Sequence, residues 1–328
     1  MKNYAIVDLH LHLDGSLSPE IIIEIAKEEG INLPSYDPKE LRKYLEVSPN
    51  CQSLEEYLQK FEIPNLVLQS KNGLRKALLD LLKRLDKQGL KYVEVRMAPQ
   101  LSITKGLTQE EVVQTLIDAS NEAQKLYQIK CNLILCMMRG ENNKDLNIET
   151  AKLAIKYMNK GVVAIDLAGD EAKYPNENFE EELTISRDEK TGKYIKKTIH
   201  AGEACGPESI WSALHYDPDR FGHGIHFYED DILPDVIDKL EICPTSNLQT
   251  KAIHSLSEFP FRLMLDKKIK FNVNTDNMTV SNTTLKKEYD LLRQYGLNED
   301  ELKKVALMSI DMAFISKEEK EELRKFVE

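Results

Sequence analysis

The sequence predicts an α/β chain folded as a (β/α)8 TIM barrel, with extra helices after the first strand laid over the barrel mouth. Three observations carry this. Short apolar, β-branched runs alternate with longer helical stretches, there are eight such runs, and polar residues of metal-ligating type gather at their carboxyl ends. A doubly wound open sheet is the runner-up on pattern alone. At 328 residues, 41% hydrophobic and 30% charged, the chain is long enough for one large barrel, and residues 1–328 are read as one domain.

The first run opens the stretch 5–17 (AIVDLHLHLDGSL), and the rest of the chain is organised around it. The others follow at 92–97 (YVEVRM), 131–138 (CNLILCMM), 162–167 (VVAIDL), 194–200 (YIKKTIH), a very short one at 220–222, 240–243 (LEIC) and 269–274 (IKFNVN). Between them, segments such as 110–127, 148–159 and 256–266 repeat apolar residues at helical spacing. Gly30, Gly89 and Gly161 fall where helix C-caps are expected. The connection from about residue 15 to 91 is unusually long. It holds a helical pattern at 19–29, a polar, proline-containing stretch at 32–38 and an apolar-rich one at 54–68, so helices over the mouth are expected rather than a linker. The segment 176–197 reads as a charge-dense helix and a Lys-Thr-Gly turn at a solvated edge.

Composition excludes several classes of function. The net charge of −11, from 55 acidic against 44 basic residues, comes without a basic stripe, so no nucleic-acid or anionic-membrane footprint is present and a small ligand is expected. Five cysteines, with no metal-finger or CxxC spacing, favour a reducing compartment. No apolar run approaches the roughly 18 residues of a membrane span, and the start of the chain lacks a signal-peptide pattern. A cytoplasmic location follows as an expectation; the oligomeric state is not legible.

Chemistry is read from the strand ends. His10 and His12 are two residues apart, so their side chains leave the first strand in one direction, half of a zinc site. An isolated pair of this kind also suits a strand's wet face. Later strand ends add Asp166 with Gly169, His200, His223, Asn247 and Asp276. So many titratable groups converging on one barrel face would each cost several kcal/mol to bury without partners. His10, His12, His200 and Asp276 supply a plausible Zn²⁺ set, one ion per chain, and such an ion lowers the pKa of a bound water towards about 7. Glu203, in His-Ala-Gly-Glu, can carry a proton beside it. His223, between Gly222 and Gly224, sits where small neighbours permit close approach of a substrate or water.

These motifs resemble the adenosine deaminases of the metal-dependent amidohydrolase superfamily. The matches are HLHLDGS at 10–16, DLAGDE at 166–171, HAGE and GPESIWSAL at 200–214, RFGHGI at 220–225, CPTSNLQT at 243–250 and NTD at 274–276, in family order over nearly the whole chain. The resemblance implies a zinc-dependent (β/α)8 hydrolase that deaminates adenosine and 2'-deoxyadenosine in purine salvage. It implies zinc on His10, His12, His200 and Asp276. Glu203 would protonate purine N1, His223 and Asp276 would orient and deprotonate the attacking water, Gly169 would contact N3, and His12 and Asp14 would lie against the nucleoside, Asp14 on the ribose.

One departure stands out. The family has a second aspartate after the zinc-binding one; here that position is Asn277, followed by Met278 where proline is common. An asparagine amide donates a hydrogen bond to purine N7 without needing protonation. The alternatives are a deaminase of adenine or of a modified 6-aminopurine nucleoside, which Asp14 argues against, and a non-catalytic zinc-binding relative, which Glu203 and His223 argue against.

Overall fold

The computed structural model describes residues 3–48, 51, 53–185, 192 and 194–327. Eight strands follow one another in sequence order around one sheet: β1 (Val7–His12), β2 (Tyr92–Met97), β3 (Lys130–Met138), β4 (Val162–Ala168), β5 (Lys196–Ala201), β6 (Arg220–His223), β7 (Lys239–Ile242) and β8 (Lys270–Val273). Every neighbouring pair is parallel. The residues after β8 close the ring on β1, with His12 N donating to Asp276 O at 2.7 Å and Asp276 N to His10 O at 2.8 Å. The barrel expected from the sequence is present, and the open sheet is excluded.

Local sequence explains the helices that wrap it. In Pro19–Glu29, Ser18 accepts from Ile21 N, proline opens the first turn, and Gly30 caps the end in the left-handed region. In Lys71–Gln88, Ser70 caps one end and Gly89 the other, and Leu74, Leu78, Leu81 and Leu85 form a buried stripe at helical spacing. Each buried leucine contributes roughly 1.5–3 kcal/mol. The helix Gln109–Leu126 starts in a capping box between Thr108 and Glu111.

Four expectations need correction. Gly161 caps no helix: Lys144–Lys156 ends at Tyr157, and Gly161 sits in the turn leading through the Met158–Val162 bridge. The segment 256–266 is not one helix but a 3-10 turn, Leu256–Glu258, and a helix, Phe261–Lys267. Pro260 separates them, because a proline disfavours helical backbone in the residue before it and donates no hydrogen bond. The charge-dense helix shrinks to Glu180–Thr184; in the turn expected after it, Lys190 and Thr191 lie outside the described residues. Cys243 leaves β7 for the start of the short helix Pro244–Gln249, again at a proline.

The long connection after β1 does cover the mouth. Leu54–Leu58, the 3-10 turn Gln59–Phe61 and Glu62–Val67 lie there, pinned to the chain beyond β8. Val47 N donates to Val280 O at 2.9 Å, and the Tyr57 hydroxyl meets Ser281 Oγ at 2.6 Å.

Behind the mouth, helix Leu285–Tyr295 carries a fully buried carboxyl, Glu288, which accepts from Thr245 N at 3.0 Å and from the Thr283 hydroxyl. Burial pushes it up to about 7, against the pull of those two hydrogen bonds. A carboxyl raised in this way favours the folded state most below its unfolded pKa, and that contribution is lost as pH rises through the folded value. Glu288→Gln keeps the shape without the titration. We expect denaturant unfolding to show the variant more stable than wild type at pH 8, by at most about 3 kcal/mol, with little difference at pH 4. An equal difference at both pH values would contradict this.

Candidate active site

The carboxyl ends of β1, β5, β6 and β8 bring four imidazoles and a carboxylate together. The ring of His10 lies 4.7 Å from that of His200 and 4.8 Å from that of His223, centroid to centroid. Asp276 Oδ1 stands 3.5 Å from His10 Nε2 and 3.4 Å from His12 Nε2. One nitrogen from each of His10, His12 and His200 falls within 4.8 Å of the other two, close enough to hold a metal ion together. His10, His223, Cys243 and Asp276 form a second, overlapping group. His10 Nε2 is buried and, among the described residues, has no hydrogen-bond partner, as expected of a lone pair reserved for a cation. Nitrogen donors with one carboxylate oxygen suit Zn²⁺.

Two of these imidazoles are oriented from behind. His10 Nδ1 meets Glu241 Oε2 at 2.8 Å, and His200 Nδ1 meets Asp166 Oδ2 at 3.0 Å. A proton held on Nδ1 by a carboxylate leaves Nε2 free to bind metal. Arg96 ties the two carboxylates together, with Nη1 2.9 Å from Asp166 and Nη2 2.8 Å from Glu241. Glu241 continues the network to Arg220, which also pairs with Glu94 and lies 3.6 Å above the Phe314 ring. Arg96, Arg220, Glu94, Asp166 and Glu241 are all fully buried. Strand alternation places Glu94 and Arg96, two residues apart, on the inner face of β2.

His223 and Glu203 face each other across the floor, with His223 Nε2 3.4 Å from Glu203 Oε2. Asn247 sets the His223 tautomer. Its Oδ1 accepts from Cys243 N, so its amide nitrogen faces His223 Nδ1 at 3.0 Å and donates to it. The ring proton therefore resides on Nε2, towards the cavity. Burial, reinforced by His10, holds His223 well below the usual imidazole range. Burial also keeps His12 well below it, despite Asp276. Glu203 moves the other way: burial, then the charges of Asp276 and Glu171, raise its carboxyl well above the ordinary range, which favours the protonated form. His223 and Asp276 adopt left-handed backbone, at φ 58° and 55°, a strained conformation that clusters at functional sites.

These groups open into a cavity of about 310 Å³, within the range of small-molecule sites. His12, Asp14, Gly169, His200, Glu203, His223, Asp276 and Asn277 line it, together with Tyr57 and Phe61 from the mouth and Met138 and Arg139 from the end of β3. His10 lies behind this wall, fully buried. Asn277 fits only because residue 15 is glycine: a Cβ there would come within 1.8 Å of the amide oxygen. Gly222 plays a different part from the one expected. A Cβ on it would meet His200 and the His10 ring at 3.2–3.3 Å, so it makes room for imidazoles rather than for a substrate.

The strand-end histidines and acids were legible in the sequence, whereas Arg139 at the end of β3, Tyr57 and Phe61 in the cavity wall, and the buried Arg96, Glu241, Arg220, Glu94 and Glu171 were passed over. The available signal was a charged residue inside an otherwise apolar run, as in YVEVRM and LEIC.

Parallel barrel strands that present imidazoles and a carboxylate at their carboxyl ends place the chain among the metal-dependent hydrolases of the amidohydrolase superfamily. The family model described as adenosine deaminase matches residues 6–328. The chain belongs to the adenosine deaminase family. It is 43% identical to an adenosine deaminase of Haemophilus ducreyi, over 98% of this chain and 95% of that one. It is also 43% identical to one of Clostridium botulinum, over 98% of each. Among solved structures, an adenine deaminase from Arthrobacter aurescens superposes with a TM-score of 0.87 at 26% identity, covering 98% of this chain and 97% of that one. The N6-methyl-AMP deaminase of Arabidopsis thaliana superposes with a TM-score of 0.82 at 25% identity, covering 98% and 95%.

Proposed function

We propose that residues 1–328 act as one hydrolase domain that converts adenosine and 2'-deoxyadenosine, with water, to inosine and deoxyinosine, releasing ammonia. The carrying observation is Glu203, a buried carboxyl in the cavity wall 3.4 Å from His223, where burial favours its protonated form. His10, His12, His200 and Asp276 would hold one Zn²⁺, whose chemistry is to make a water acidic enough to lose its proton near neutral pH. Glu203 donates its proton to purine N1, which draws electrons from C6. His223 holds the attacking water through the Nε2 proton it turns to the cavity, and Asp276 takes the water's proton. The proton then passes to the amine, which leaves as ammonia and gives the 6-hydroxypurine. Gly169 would meet N3 and the Asn277 amide would donate to N7. His12 and Asp14 would hold the ribose, and the Asp14 carboxylate would repel a 5'-phosphate there.

The sequence resemblance and the two adenosine deaminases at 43% identity support the nucleoside. The adenine and N6-methyl-AMP deaminases among the structural neighbours, with Asn277 in the chain, keep adenine or a modified 6-aminopurine nucleoside as the second reading. All five cysteines are free, which supports a reducing, cytoplasmic compartment; among the described residues no helix is long and apolar enough to cross a membrane.

The purified, zinc-loaded protein should convert adenosine to its 6-hydroxypurine, read from the ultraviolet spectrum, and leave adenine unchanged. Conversion of adenine alone would move the reading to the free base. No change in either would remove adenosine and adenine and leave a modified 6-aminopurine nucleoside or a site that binds without turnover.

A further inference from the structure

The segment DLAGDE, which runs from the end of β4 into the turn beyond it, contains a carboxylate that the reaction does not use. Glu171 is 2% exposed. Its Oε1 accepts from Gly202 N at 2.6 Å and from the Ser209 hydroxyl. Its Oε2 accepts from Glu203 N at 3.0 Å, Ala204 N at 2.8 Å and Cys205 N at 3.3 Å. Four consecutive backbone amides thus converge on one buried anion, a concave nest just ahead of the helix Pro207–Leu214. Gly202 makes the turn possible. Its φ is 69°, and a Cβ there would lie 2.6 Å from Ile210.

Among the described residues, no cationic side chain is hydrogen-bonded to Glu171. The nearby Arg139 spends its terminal donors on Tyr174 O, Asn176 Oδ1 and His200 O. The backbone partners of Glu171 instead belong to the loop that carries Glu203, whose own carboxyl meets the Thr250 hydroxyl at 3.3 Å and His223 Nε2 at 3.4 Å. We propose that Glu171 is the positioning residue of the proton carrier: its buried carboxylate gathers the amides of residues 202–205 and so aims Glu203 into the cavity. This rests on the reading of Glu203 as proton carrier.

Glu171→Gln keeps the volume but turns an amide NH₂ towards N–H donors. A small misplacement of a reacting group costs about 100-fold. In the zinc-loaded enzyme we expect kcat for adenosine to fall about 100-fold, KM to change less than about threefold, and the metal to stay bound. The same substitution made in a Glu203→Gln background should then cost nothing more, because its effect runs through Glu203. An unchanged kcat in Glu171→Gln, or losses that multiply in the double variant, would overturn the proposal. If Glu171→Gln does not fold, Ser209→Ala, which removes one donor to the same carboxylate, is measured in both backgrounds by the same criterion. Failure of the underlying reading appears separately, as full activity in Glu203→Gln alone.

Discussion

Glu203→Gln lowers kcat for adenosine by about 10²- to 10⁴-fold and leaves the metal in place. General acid catalysis supplies a factor of that size. The substitution is close to isosteric, and a glutamine amide can hydrogen-bond purine N1 but cannot transfer a proton to it. Substrate binding therefore survives better than turnover, and KM moves little. Glu203 is none of the four proposed zinc-holding residues, so the zinc content is the control. The wild-type pH profile should agree. Burial, Asp276 and Glu171 raise the Glu203 carboxyl, the protonated form is the active one, and turnover falls as pH rises through its pKa. In the variant that alkaline limb disappears. Turnover near the wild-type level, with zinc bound, would refute the role of Glu203.

Arg96→Met should cost about 3–5 kcal/mol of stability at neutral pH and weaken zinc binding by about 10- to 100-fold. The guanidinium is buried completely and neutralises Asp166 and Glu241 at once, at 2.9 and 2.8 Å. Removing one member of a buried ion network leaves charges with neither water nor partner. Those same carboxylates hold the Nδ1 protons of His200 and His10, so the loss reaches the metal through the imidazoles. The sign with pH follows from the carboxyls. Burial pushes Asp166 up, but His200 and Arg96 pull it well below the usual range; burial is likewise overcome at Glu241 by Arg96 and Arg220. A depressed carboxyl contributes stability above its unfolded pKa and loses it as pH falls. The deficit of Arg96→Met should accordingly be largest at neutral pH and shrink in acid. Denaturant titration at the two pH values, with zinc competition against a chelator, measures both effects. A neutral-pH loss below about 1 kcal/mol would contradict the account.

Much of this molecule was legible in one dimension. Every strand was placed within about two residues, because a buried parallel strand reads as a short apolar run and its covering helix as an apolar stripe. The mouth-covering helices followed from the length and patterning of residues 15–91. Three of the four misplacements fell at punctuation: Pro260 split a periodic segment, Pro244 ended β7 early, and Gly161 served a turn rather than a cap. Histidines and acids at strand ends announced the candidate site because few other arrangements put such residues at the same place in successive β/α units.

The buried charges were another matter. Arg96 meets Glu241 across 145 positions of sequence, and Arg220 meets Glu94 across 126. Nothing local distinguishes these ions from solvated ones. Sequence alone determined the barrel, the chemical types at its mouth and the family, since periods of 2 and 3.6 residues and short motifs are properties of neighbours along the chain. The tertiary structure decided which nitrogen of His10 faces inward, which tautomer His223 adopts, that burial favours the protonated form of Glu203, and that Glu171 grips the loop behind it. Proton positions depend on burial and on through-space distances of about 3 Å, and only closure of the barrel brings those partners together.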